Sequence, residues 1–134
     1  MKPNRLLVIA SVISVLLFMS HMTSDIMLGI ESGDRQDLVG ATLISLVWLS
    51  GALLLSARPS GYIIMLLGAV LAVGVPYLHM GGAGVGGEFV KKSGAFLFIW
   101  TLLAMGLSGA FSLILAARGL LKREWRPAPA QPFP

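Results

Sequence analysis

Four long apolar runs, roughly 6–30, 38–57, 62–80 and 95–121, occupy most of the chain, and only short polar or glycine-rich breaks separate them. Each run is continuously apolar, whereas the strands of a membrane barrel alternate apolar with polar residues. About 20 such residues cross a hydrocarbon core about 30 Å thick as a helix. Lipid cannot hydrogen-bond an exposed backbone, so a spanning segment of this kind must satisfy its amides internally. The breaks at 31–37, 58–61 and 81–94 are short enough to force successive helices to run antiparallel. The pattern therefore predicts an all-α fold, an integral membrane antiparallel four-helix bundle over residues 1–125. The remaining tail, 126–134, carries four prolines among nine residues and is expected to be extended and unpacked on the cytoplasmic side.

Composition agrees with the bilayer as solvent: the 134 residues are 56% hydrophobic and 12% charged, with mean hydropathy +0.85. Charge sets the expected orientation, because cytoplasmic loops retain Lys and Arg. Lys2, Arg5, Arg58, Arg118, Lys122, Arg123 and Arg126 fall on one side, against Arg35, Lys91 and Lys92 on the other. Both termini are accordingly expected in the cytoplasm, and the net charge of +4 is expected to meet anionic headgroups. Nucleic acid is not an expected partner, since the basic residues are scattered and lack interleaved aromatics. Lys2 and Arg5 before an apolar run also resemble a signal peptide, but Ser20-His21-Met22 follows in place of a small-residue cleavage site, which favours an uncleaved anchor. The chain has no cysteine, which excludes disulfides, thiolate metal sites and thiol redox chemistry.

A shift of 58 residues lays the second half on the first. His21 falls on His79, Met22 on Met80, Gly29 on Gly87, and Ser50-Gly51-Ala52 on Ser108-Gly109-Ala110. Two repeated hairpins would share one orientation, related by a pseudo-two-fold along the membrane normal. Helical phase gives every span a small or polar face: Ser11, Ser14, His21 and Asp25 lie within about 80° on the first. Gly68, Ala72, Val75 and His79 share a face of the third; Ala41, Ser45, Ala52 and Ser56 one of the second; Thr101, Ala104, Ser108 and Ser112 one of the fourth. Such faces turn inward in lipid because small residues let backbones approach, and packing alone accounts for nearly all of these serines and alanines.

The candidate chemistry is His21, Asp25 and His79, with Met22 and Met80 beside the histidines and Thr23 at the same mouth. His21 and Asp25, four apart, are within reach of each other on one helix face. Counted from the cytoplasmic span ends, both histidines come out about 23 to 27 Å up, near the outer edge of the hydrocarbon. Two imidazoles at one depth would suit a transition metal, with His21 and His79 as ligands and Asp25 as a third ligand or tautomer-fixing acceptor, or the axial positions of a haem. A proton relay is the other functional use of intramembrane ionisable groups. The simpler alternative is an interfacial ion pair without a role. Pro76 is expected to bend the third span and free the Ala72 carbonyl beside His79.

The run Gly82-Ala83-Gly84-Val85-Gly86-Gly87 matches the dinucleotide fingerprint letter for letter, but no β-strand precedes it and the chain has no room for a parallel sheet. It reads as an outer loop, with Glu88, Lys91 and Lys92 as solvated charges. Trp48, Trp100, Tyr62 and Tyr77 are partly explained as interfacial anchors, although both tryptophans fall away from the span ends and suit packing better.

His21-Met22-Thr23-Ser24-Asp25-Ile26 and Pro76-Tyr77-Leu78-His79-Met80, continuing through Gly81 to Ser93 and a last apolar span, resemble a group of small four-span bacterial membrane proteins. That resemblance covers nearly the whole chain, implies the bacterial cytoplasmic (inner) membrane and brings no activity. In size the chain is also similar to the small multidrug resistance transporters, whose carboxylate lies deep in the first span, whereas Asp25 lies near an edge. No nucleophile with a paired base is legible. The expected function is a non-enzymatic ligand-, metal- or partner-binding membrane protein, or an accessory subunit of a larger membrane complex, with an outward-facing His/Asp mouth. The alternative is a minimal proton-coupled transporter working by self-association.

Overall fold

The computed structural model describes residues 4–28, 35–80 and 94–122, all of them helical or in the short turns between helices. The four helices are α1 (Arg5–Leu28), α2 (Arg35–Leu53), α3 (Pro59–Met80) and α4 (Ala95–Lys122). All four are long and apolar enough to cross a membrane. Asn4 starts α1: its side-chain oxygen accepts the Leu7 amide at 3.2 Å and its carbonyl accepts that of Val8, which satisfies donors a helix start leaves open. Pro59 opens α3 at a position where its missing N–H costs nothing. Gly94 precedes α4 with φ 96°, a left-handed conformation that glycine adopts without strain.

The second span is shorter than its apolar composition implies. Hydropathy carried it to residue 57, but α2 ends at Leu53, and 54–58 form the turn into α3, closed by the Arg58 amide on the Leu55 carbonyl at 2.8 Å. The third helix begins three residues before the expected Tyr62, at Pro59. Leucines 53 to 55 are apolar in either conformation, so hydropathy does not mark the break; Pro59, which disfavours helix in the residue before it, does. The glycine-rich segment up to Ser93, residues 31–34 of the first expected loop and the proline-rich tail lie outside the described residues, as do Gly29 and Gly87, whereas Arg35, Gln36 and Asp37, expected in that loop, are helical and open α2.

The helices are arranged in the cyclic order α1-α2-α3-α4, each touching its sequence neighbours, with α4 closing back onto α1 and α1 reaching α3 across the diagonal. Pairing is uneven: α3 with α4 makes the most extensive interface, and α1 with α2 a much smaller one, so the two hairpins match in order and direction but not in intimacy of packing. Small residues explain the tight pair. A Cβ on Gly109 would lie 2.6 Å from the Cβ of Ala72, and one on Gly119 would lie 2.1 Å from the Tyr62 ring. Both contacts need glycine on α4, as expected where backbones approach in lipid.

Large side chains fill the centre: Trp48, Tyr62, Phe98, Met65, Leu102 and Met105 are all fully buried, while leucines such as Leu16, Leu67 and Leu107 face outward where acyl chains would lie. The expected inward faces hold for Ser11, Ser14, Ala41, Ser45, Ala52, Ala72, Thr101 and Ser112, which are all buried. Ser14 and Ser108 bring their hydroxyl oxygens to 2.9 Å across the α1–α4 seam. The aromatic anchors divide differently from expectation. Tyr62 is a core residue seated on Gly119, Trp48 is a core residue stacked on Gly68, and Trp100 and Tyr77 are exposed on the outer surface. A glycine on the facing helix, which hydropathy cannot see, is what admits each buried ring.

Candidate functional site: a buried His–Asp–His cluster

The cluster forms where α1 and α3 end, beside the start of α4. His21 lies 16 residues beyond the start of α1, about 24 Å along it, and His79 about 30 Å along the parallel α3. Phe98, in the first turn of α4, packs against both rings, with centroids 4.9 Å from His21 and 5.8 Å from His79. The two imidazoles meet edge to face at 4.8 Å. His21, Asp25 and Phe98 are buried, and His79 nearly so. One turn nearer the opposite end, Phe18 of α1 and Leu102 and Met105 of α4 are buried apolar residues that floor the site.

The ion pair differs from expectation. Asp25 was expected to serve His21 on its own helix; instead its Oδ2 lies 3.7 Å from Nε2 of His79 on α3. Helical phase puts Asp25 and His21 on one face, but the carboxylate turns across the bundle. His79 is oriented by its own helix, with Nδ1 2.9 Å from the Val75 carbonyl. A carbonyl only accepts, so Nδ1 carries the hydrogen in that contact. Nε2 is therefore the ring nitrogen that faces the Asp25 carboxylate, where a shared proton or a metal ion could bridge the two. Neither ring nitrogen of His21 has a hydrogen-bond partner among the described residues, although its side chain is fully buried. An unsatisfied buried imidazole of this kind calls for an explanation.

The three side chains together could hold a metal ion. One ligand atom from each of His21, Asp25 and His79 lies within 4.8 Å of the others. Tetrahedral coordination at the usual Zn–N and Zn–O distances places ligand atoms about 3.3 Å apart, so side-chain rotations of modest size would close the set on an ion. The Val75 carbonyl on Nδ1 of His79 is the outer contact that fixes a ligating imidazole's tautomer. Haem fits less well: the histidine rings touch each other and Phe98, leaving no slot for a macrocycle between two axial nitrogens.

Of the remaining sequence candidates, Met22 is partly buried against the core, while Met80 is 70% exposed and points away from the cluster. Thr23 is exposed, its hydroxyl donating to the Met19 carbonyl at 2.8 Å, so it does not line the site. Met80 and Thr23 each follow or precede a clustered residue by one or two positions, a separation of 100° or 200° around a helix, which turns them to other faces. Pro76 is buried and packs near Gly106 of α4, where a Cβ would approach it to 3.2 Å. Phe98 is the residue sequence reasoning missed; its distinguishing mark is only its place one turn into the fourth span. No protein-family model, curated protein or solved structure matches the chain, so the site is read from its own geometry.

Proposed function

We propose that this is a non-enzymatic multi-pass membrane protein that binds one divalent transition-metal ion at His21, Asp25 and His79. The observation that carries the reading is the convergence of two imidazoles and a carboxylate from two helices, with ligand atoms within 4.8 Å, around a fully buried histidine whose nitrogens meet no hydrogen-bond partner among the described residues. Nitrogen and oxygen ligands of this kind suit zinc and its first-row neighbours. Three protein ligands leave a fourth position for water or another ligand. The test is metal content after equilibrium dialysis of the purified protein against zinc: the reading expects one ion per chain, and a folded protein that retains none would overturn it.

The membrane placement belongs to the same proposal. We take it as a bacterial inner-membrane protein with both termini cytoplasmic, supported by the seven-to-three distribution of basic residues. The cluster then opens toward the outer face. A reporter fused after Pro134 that reads out on the outer side would reject this orientation. A second reading, proton-coupled transport, is favoured by the Asp25–His79 pair, which would exchange a proton where the first reading places a metal. It expects pH-dependent flux in proteoliposomes that Asp25→Asn abolishes.

A further inference from the structure

A second feature lies on the opposite side of the bundle from the α1–α4 seam. Helices α2 and α3 are clamped together near their connecting turn, where a Cβ on Gly61 would run into the Leu55 carbonyl and one on Gly51 into the Ile64 side chain. Farther along they part, and a groove of about 330 Å³ opens between them. Its walls are Leu43 and Val47 from α2 and Leu67 and Leu71 from α3, and its floor is the Trp48 ring lying over Gly68. The groove is apolar throughout and has the volume of a small-ligand pocket.

Its position restricts what can fill it. Both helices are membrane-spanning, so the groove opens sideways into hydrocarbon and not into water. Measured along α3, it runs from Ile64 to Leu71, about 8 to 18 Å from the helix start. The charged residue in the turn that joins the two helices is Arg58, exposed and directly before Pro59. An acyl chain laid in the groove would therefore bring its headgroup to the level of a guanidinium, the side chain best shaped to grip a phosphate with two hydrogen bonds. A purely apolar occupant would make no use of that cation, and a zwitterionic phospholipid would bring its own headgroup cation to compete for the phosphate, so a net-anionic phospholipid suits the site best.

We propose that the α2–α3 groove is a binding site for an anionic phospholipid, with one acyl chain against Trp48 and Gly68 and the headgroup phosphate held by Arg58. The site is independent of the metal cluster and stands or falls apart from it. A second copy of the chain is the competing occupant, and it would bring its own apolar face to the same groove without regard to headgroup charge.

The test uses the full-length protein with Trp100→Phe and Trp125→Phe, so that Trp48 is the only tryptophan, reconstituted in vesicles carrying acyl-brominated phosphatidylglycerol or acyl-brominated phosphatidylcholine in equal amounts. Bromine quenches over a short range, so Trp48, lying just beneath the groove, reports its occupancy. The proposal expects at least twofold stronger quenching by the brominated phosphatidylglycerol. It also expects Arg58→Gln to remove that preference and Arg58→Lys to keep part of it. Arg58 is exposed, so neither change threatens the fold. Equal quenching by the two lipids, or a preference that survives Arg58→Gln, would overturn the proposal. So would weak quenching by both together with efficient disulfide formation between copies carrying Leu67→Cys, which would assign the groove to a second copy.

Discussion

His79 meets Asp25 across the bundle, Nε2 to Oδ2 at 3.7 Å, while its other ring nitrogen is tied to Val75 on its own helix. The backbone contact fixes which nitrogen faces the carboxylate, and α3 thereby supplies both an imidazole and its orientation to a carboxylate on α1. His21, one turn from Asp25 and in edge contact with His79, completes a set of donors in a region where lipid provides no alternative partner.

The two methionines beside the histidines should behave differently from the histidines themselves. Met80 is exposed and faces away, so Met80→Ala is expected to leave zinc stoichiometry and affinity unchanged in a dialysis assay. His79→Ala, one residue away, is expected to abolish stoichiometric binding. Equal losses from the two would mean that the third helix as a whole, and not one imidazole, matters.

Glycines packed against rings should be hard to replace. A Cβ on Gly119 would sit 2.1 Å from the Tyr62 ring, and one on Gly68 would sit 2.2 Å from that of Trp48. Gly119→Ala and Gly68→Ala are each expected to cost about 1–3 kcal/mol, the range for overpacking a filled interior. Gly74→Ala meets nothing within 4 Å and is expected to stay within about 0.5 kcal/mol of the parent. Unfolding in mixed micelles would order the three variants.

The hydroxyl pair at the α1–α4 seam gives a smaller effect. Ser14 and Ser108 lie 2.9 Å apart, yet each can also donate to its own helix, Ser14 to Ala10 and Ser108 to Met105. Deleting either hydroxyl leaves the other with a partner. A double-mutant cycle with Ser14→Ala and Ser108→Ala is therefore expected to return a coupling near the membrane average of about 0.6 kcal/mol. A coupling above about 2 kcal/mol would show that the backbone bonds do not compensate.

How much of this was legible in the sequence differs by level. Continuous apolar runs located four helices because lipid leaves the backbone no other solution, and helical phase assigned Ser11, Ser14 and Ala72 to the interior because small residues are what close packing requires. The 58-residue shift paired His21 with His79, and the structure puts them in contact. Three features were out of reach of hydropathy and helical phase. The end of α2 fell inside an apolar run, where composition is silent about backbone direction. The seats of Tyr62 and Trp48 depend on Gly119 and Gly68, which are distant in sequence. The partner of Asp25 depends on a side-chain rotation: phase placed the carboxylate on the right face but could not choose between the histidine on its own helix and the one across the bundle.

The groove between α2 and α3 was equally invisible, because Leu43, Val47, Leu67 and Leu71 look like ordinary lipid-facing residues. Only the glycine clamp at Gly51 and Gly61, which holds one end of the helix pair closed, makes the other end an opening of defined length.

The most direct test of the central claim is titration of the purified protein with cobalt(II) while recording its visible absorption, since cobalt in a zinc-type site reports its ligands. The account predicts d–d bands that saturate at one cobalt per chain, are lost in His21→Ala and His79→Ala, and persist in Met80→Ala. A folded protein that develops no bands, or bands unchanged when either histidine is removed, would contradict it.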